Sequence, residues 1–251
     1  MTSPSIQKIK IMGILLDRIS YDKALQKIED FLKTGGPGVI VTPNAEIIMA
    51  ARRNEKLKDA VNGADLCFPD GIGVVLAARI IGQPLCGRTA GFDLMAQMLD
   101  MAARRNLSVF LLGGKPGVAE EAAGNIKVKF PGIKIAGTHH GYFDENEEGE
   151  IIDMINKSGA HILLVAMGAP RQEVFMMKNR HRLHCNIAMG VGGSLDVLAG
   201  RVRRAPVFMQ KAGLEWLYRL VTQPRRIKRM SVLPIFILEV ILDKLRQNKL
   251  Q

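Results

Sequence analysis

The sequence has no run of about 18 consecutive apolar residues, the length a helix needs to cross a bilayer, so nothing in its 251 residues is expected to span one. The longest candidate, Val232–Leu242, is too short and carries Pro234 and Glu239. The opening residues, MTSPSIQKIKIMGILL, lack the longer apolar stretch and small-residue cleavage site of a signal peptide. Cysteine is scarce. Cys67, Cys86 and Cys185 show no CxxC spacing, which argues against a disulfide framework or a cysteine zinc site and fits a reducing cytosol. No Walker loop, GxGxxG turn, internal repeat or low-complexity linker occurs. His139–His140 and the His181/His184 pair lack a carboxylate or thiol at ligand spacing, so no metal site is expected.

What remains is ordinary globular composition, 47% hydrophobic and 24% charged, which excludes a disordered or collagen-like chain. The formal net charge is +11, and its location is informative. Residues 201–251 hold 12 Lys and Arg against 3 Asp and Glu, whereas the first 200 residues are nearly balanced. An anionic partner should therefore meet the last fifth of the chain.

Over the first 200 residues, short apolar runs alternate with amphipathic helical patterns. The runs are Lys10–Leu16, Val39–Thr42, Asp65–Pro69, Ser108–Leu112, Ile133–Thr138, His161–Ala166 and Asn186–Gly190. Helical spacing covers Tyr21–Lys33, Ala45–Arg53, Gly71–Ile81, Phe92–Arg105, Val118–Phe130 and Glu147–Lys157. Such alternation predicts an α/β fold, a Rossmann-like, mostly parallel sheet with helices on both faces. The pattern stops near Arg201–Pro206, which divides a 1–200 core from a helical basic appendage over 201–251.

Ligands of open α/β sheets bind beyond the carboxyl ends of the strands. Gly113-Gly114-Lys115-Pro116-Gly117 and Gly190-Val191-Gly192-Gly193 both follow apolar runs and precede helices. Glycines allow backbone to approach a ligand, and helix N-termini offer N–H groups to phosphate. Gly113, Gly114, Gly192 and Gly193 are thus candidates for a nucleotide diphosphate, with tight turns or close strand–helix packing as the alternative. Arg171, Gln172 and Glu173 cluster where another strand ends, as recognition groups or as a solvated helix start. Asp70, after Phe68-Pro69, is either a helix cap or a general base for a sugar hydroxyl. Arg88 in Gly87-Arg88-Thr89 offers a fork that matches diphosphate oxygens.

In the appendage, Val207, Phe208, Leu214, Leu217, Leu220 and Val221 follow helical spacing, with Trp216, Tyr218 and five basic residues (Arg219, Arg225, Arg226, Lys228, Arg229) nearby. A basic amphipathic helix with interfacial aromatics fits an anionic membrane surface, where each Lys or Arg contributes ~1 kcal/mol. Packing on the core or on a second subunit competes with that reading. No nucleic-acid module is present, and nucleic acid is not expected as a partner.

The segments VTPNAE, ADLCFPDGIGVVLAARIIG, GRTAGFDL, FLLGGKPGVAEEAA, VAMGAPRQE and GVGGSLDVLAGRVRRAP occur in the order seen in the WecG/TagA/CpsF glycosyltransferases. The resemblance covers about residues 9–230, and its appendage is most similar to the branch that makes the linkage unit of wall teichoic acid. It implies inverting transfer of N-acetylmannosamine from UDP to N-acetylglucosamine on undecaprenyl diphosphate, with no cofactor or required metal. The implied location is the inner face of the cell membrane; the charge split near residue 200, and not the resemblance, leaves room for a homo-oligomer off it. By motif match, Asp70 falls on the catalytic base, and Thr42, Asn44, Arg88 and Gln172 on substrate-holding positions. Arg219, Arg226 and Arg229 fall on arginines that approach the lipid diphosphate. Another UDP-sugar stays open as the donor. A dinucleotide enzyme is disfavoured by the missing fingerprint.

Overall fold

A computed structural model describes residues 6–33, 35–86, 90–223 and 231–248. Its centre is a six-stranded, all-parallel sheet built from β3 (Gly38–Val41), β4 (Leu66–Cys67), β5 (Ser108–Gly113), β6 (Lys134–His139), β7 (Ile162–Ala166) and β8 (Ile187–Gly190). The spatial order is β4-β3-β8-β7-β5-β6. Parallel strands covered on both faces need apolar side chains at successive positions, and the inner strands have them: Ile162–Val165 and Ile187–Met189 are wholly buried.

Their side chains alternate between two cores. Val39, Val41, Phe110, Leu112, Leu163, Val165 and Ala188 enter one; Ile40, Val109, Leu111, Ile162, Leu164, Ile187 and Met189 enter the other. Helices α2 (Ala45–Ala51), α3 (Glu55–Asn62), α4 (Ile72–Ile80), α7 (Glu148–Lys157) and α8 (Arg171–Lys178) cover the first. Helices α1 (Tyr21–Phe31), α5 (Gly91–Arg104), α6 (Val118–Lys129) and α9 (Ser194–Leu198) cover the second. Local chemistry starts several of these helices. Ser20, Asn44 and Asn54 each accept a hydrogen bond from the backbone N–H three residues on, the usual N-cap arrangement.

The Lys10–Leu16 run, read as one strand, is a hairpin of β1 (Lys8–Ile11) and β2 (Ile14–Asp17) outside the main sheet. Met12 and Gly13 turn it with φ of 51° and 89°, and two positive φ values are what a two-residue hairpin loop requires. Asp17 at its end is fully buried, and its Oδ2 accepts the Cys67 N–H at 2.8 Å, tying the hairpin to β4. Helix α3 was also not foreseen.

Beyond residue 200 the chain is helical. The amphipathic stretch Val207–Val221 divides at Gly213 (φ 72°) into α10 (Val207–Lys211) and α11 (Glu215–Thr222). The apolar Val232–Leu242 lies within α12 (Val232–Asn248), which packs on α2 and α4. Phe236 and Val240 are buried among the first core's residues. A Cβ on Gly73 would fall 2.4 Å from Leu233, so glycine there permits the close helix crossing. Arg52 pairs with Glu239 at 3.0 Å, and Lys244 Nζ donates to the Ile80 carbonyl at 2.6 Å. Among the described residues no helix is long and apolar enough to cross a membrane.

Candidate active site

Six parallel strands put all their carboxyl ends on one edge. A cleft of about 1200 Å³ opens there, lined from the ends of β3, β5, β7 and β8, from the start of α4 and from α11. The direction in which successive strands are added to the sheet reverses at β3/β8 and at β7/β5, which is where crevices form in such folds.

Asp70 lines the cleft and is half-buried. It does not cap α4, whose N-cap is Gly71 with no side-chain bond. Instead its Oδ1 accepts the Gly91 N–H at 2.8 Å, the first residue of α5. Among the described residues the carboxylate has no other hydrogen-bond partner. Burial pushes its carboxyl above the usual range; the Gly91 N–H and the Arg219 charge oppose this, and Glu215 and Asp93 reinforce it. A carboxylate raised by burial but held by one N–H is a stronger proton acceptor than an exposed one.

Thr42 and Asn44 line the cleft from the end of β3. Thr42 is packed so closely on α5 that a Cβ on Gly91 would lie 2.9 Å from it. Asn44 Oδ1 is engaged in capping α2, by the Ile47 N–H at 3.0 Å. Arg219 reaches the cleft from α11. Arg88, Arg226 and Arg229 lie outside the described residues.

The Arg171-Gln172-Glu173 cluster divides its roles. Arg171 donates to the carbonyls of Gly141 and Phe143 and stacks 4.5 Å over the Phe143 ring, so it fastens the loop after β6. Gln172 and Glu173 are buried. Gln172 Oε1 accepts the N–H groups of Gly168 and Gly192, each at 3.2 Å, and its Nε2 donates to Glu173 Oε1 at 2.8 Å. One amide thus joins the loops that follow β7 and β8. The other Glu173 oxygen has no partner among the described residues, and burial pushes that carboxyl up, against the pull of the Gln172 N–H.

The glycines also differ. Gly192 and Gly193 line the cleft ahead of α9. At Gly113 (φ 139°) a Cβ would meet the Ala166 carbonyl oxygen at 2.3 Å, so close approach of β5 to β7 alone demands glycine. Gly114 borders the cleft, while its N–H donates to Ala166 O at 3.0 Å. Of the expected appendage stripe, Val207, Phe208, Leu217 and Val221 are exposed. Leu214, Leu220 and Trp216 instead line an apolar groove with Ile72, Leu76 and Leu233, adjoining the cleft.

Residues not foreseen as part of the site are Arg204, Asp93 and Glu215. Arg204 lines the cleft, pairs with Asp93 at 2.6 Å and Glu215 at 3.3 Å, and stacks 4.4 Å over Phe92. The only sequence signal was the basic Arg201–Arg204 stretch. Among the described residues no cluster of three His, Cys, Asp or Glu is placed to hold a metal ion.

Residues 9–250 match the model of the glycosyl transferase WecG/TagA/CpsF family. The chain is also 42% identical, over 202 residues, to a Bacillus spizizenii protein named N-acetylglucosaminyldiphosphoundecaprenol N-acetyl-beta-D-mannosaminyltransferase. That match covers 80% of this chain and 78% of the relative.

Proposed function

Because the chain belongs to the WecG/TagA/CpsF glycosyltransferase family, we propose that it transfers N-acetylmannosamine from UDP to the N-acetylglucosamine of an undecaprenyl-diphosphate acceptor. The transfer is a single inverting displacement. Asp70 takes the acceptor hydroxyl proton while that oxygen bonds to the anomeric carbon; the anomeric bond to UDP breaks, and its electron pair leaves with the diphosphate. The observation that carries this reading is the half-buried Asp70 carboxylate that lines the cleft, held by the Gly91 N–H at 2.8 Å. Charge gathering on UDP would be met by cations that line the cleft, among them Lys115, with Arg219 left to the lipid diphosphate as the resemblance implies, so no divalent ion is required.

The 42% identical relative supports the choice of sugar and lipid carrier through its name. The exposed Val207, Phe208, Leu217 and Val221 and the basic excess of residues 201–251 support docking on an anionic membrane face. A homo-oligomer off the membrane is part of the same reading.

The test is UDP release from UDP-N-acetylmannosamine with the lipid acceptor, for wild type and Asp70→Asn. Asparagine keeps an oxygen for the Gly91 N–H, so it removes the base with little loss of structure. Transfer should fall by about 10²–10⁴-fold and should be unaffected by a chelator in the wild type. An Asn variant as active as wild type would remove Asp70 from the role of base. A wild type that releases no UDP, even with membranes present, would refute the donor.

A further inference from the structure

Helix α11 carries Arg219 toward Asp70, yet few apolar contacts hold it there. It contributes no fully buried residue to either core, and its outer residues Leu217 and Val221 face solvent. Something else must fix its position. The corner before it leans on α4 through Gly213, where a Cβ would sit 3.0 Å from Ile72. The stronger tie is polar. Arg204, from the segment between α9 and α10, sends Nη1 to Asp93 on α5 at 2.6 Å and Nε to Glu215 on α11 at 3.3 Å. Its guanidinium carbon lies over Phe92, 4.4 Å from the ring centre. All three charged side chains are largely shielded, at 21–29% exposure, so water and salt screen the pairs less than they would at the surface.

We propose that Arg204 is a positioning residue, a latch that joins Asp93 of the core to Glu215 of α11 and so holds Arg219 over Asp70. The inference rests on the reading of the Asp70 cleft as the active site. A planar fork suits the task, because it serves two carboxylates and one aromatic face at once; a lysine ammonium can pair with the carboxylates but cannot reproduce the fork or the stacking. The tie spans a long loop of sequence, with Asp93 and Arg204 more than a hundred residues apart, while Arg204 and Glu215 are close in the chain. Breaking it therefore frees α11 from the core without disturbing the sheet.

The protein supplies its own probe. Trp216, its only tryptophan, sits on α11 half-buried between the cleft and the apolar groove. In the full-length Arg204→Ala variant, Trp216 emission should shift to the red and become more accessible to acrylamide, with far-UV circular dichroism unchanged. Acceptor-dependent kcat should fall on the order of 10²-fold, as expected for misplacement of a charged group near the reacting atoms. Arg204→Lys should recover part of both signals. Should Arg204→Ala fail to fold, Glu215→Ala decides, since it removes the α11 carboxylate from Arg204 while the Asp93 pair stays in place, and it should give the same red shift. Unchanged Trp216 emission and quenching in the folded variants overturns the latch, and so does lost transfer with Trp216 undisturbed, which would place Arg204 on the substrate instead. The fluorescence arm needs no substrate, so a wrong donor or acceptor cannot be mistaken for a failed latch.

Discussion

Replacing Gln172 with alanine tests the bond network that joins the loops after β7 and β8. The change removes three hydrogen bonds: two from backbone N–H groups of Gly168 and Gly192, and one to Glu173. Gly168 and Gly192 border the cleft, so water can replace the lost acceptor there. Glu173 is 1% exposed and already has one oxygen without a partner among the described residues, so it has no such substitute. With the two glycine N–H groups taken up by water, the lost Glu173 bond at ~1 kcal/mol and about 2 kcal/mol for the buried carboxyl left unpaired bring the loss to about 3 kcal/mol. For a chain of this size that lowers Tm by about 6–12 °C.

The pH dependence gives the result a sign. Burial raises the Glu173 carboxyl above its ordinary 4.5, and the Gln172 N–H holds it down. A raised folded value means stability that is present below the unfolded value and lost as pH rises through the folded one. Without Gln172 the folded value climbs further, so the deficit relative to wild type should widen from acidic to mildly alkaline pH. Thermal melts followed by circular dichroism at pH 5 and pH 8 measure it. A deficit that is the same at both, or below about 1 kcal/mol, would refute the network as drawn.

Gly113→Ala should be among the most damaging single changes, because the added carbon meets a backbone oxygen and the φ of 139° is hostile to any side chain. A loss above about 4 kcal/mol, read from the urea midpoint or as failure to yield soluble protein, is expected; a near-normal midpoint would restore ligand approach as the reason for glycine there. Phe236→Ala empties a fully buried site under α12 and should cost about 3–5 kcal/mol. A small loss in the same denaturation assay would mean that α12 is not seated in the core.

How much was legible follows from how local each feature is. The β3, β5, β7 and β8 runs announce themselves because a strand covered on both faces must be apolar at every position, and no distant residue alters that requirement. Ser20 and Asn44, unread as helix caps in the sequence, cap for an equally local reason, an acceptor three residues before the N–H it satisfies. The strand-end residues of the site, Asp70, Thr42 and Gln172 among them, could be named because parallel strands bring their carboxyl ends to one edge. The Lys10–Leu16 run misled because Met12-Gly13 lacks the usual turn chemistry, and an apolar run with a turn in it reads as one strand.

The sequence by itself determined the periodicities, the strand ends and the charge split at residue 200. Only the tertiary structure decided what meets what across long separations. That Gly113 is needed for Ala166 depends on a 2.3 Å approach between two strands. That Asp70 binds the start of α5 instead of capping α4 depends on a partner 21 residues away. That Val232–Leu242 packs on α2 and α4 depends on Phe236 finding a core made by residues nearly two hundred positions earlier. An apolar helix carries no mark of which surface will cover it, and an arginine none of which carboxylates it will join; those choices are made by the energy of the assembled fold.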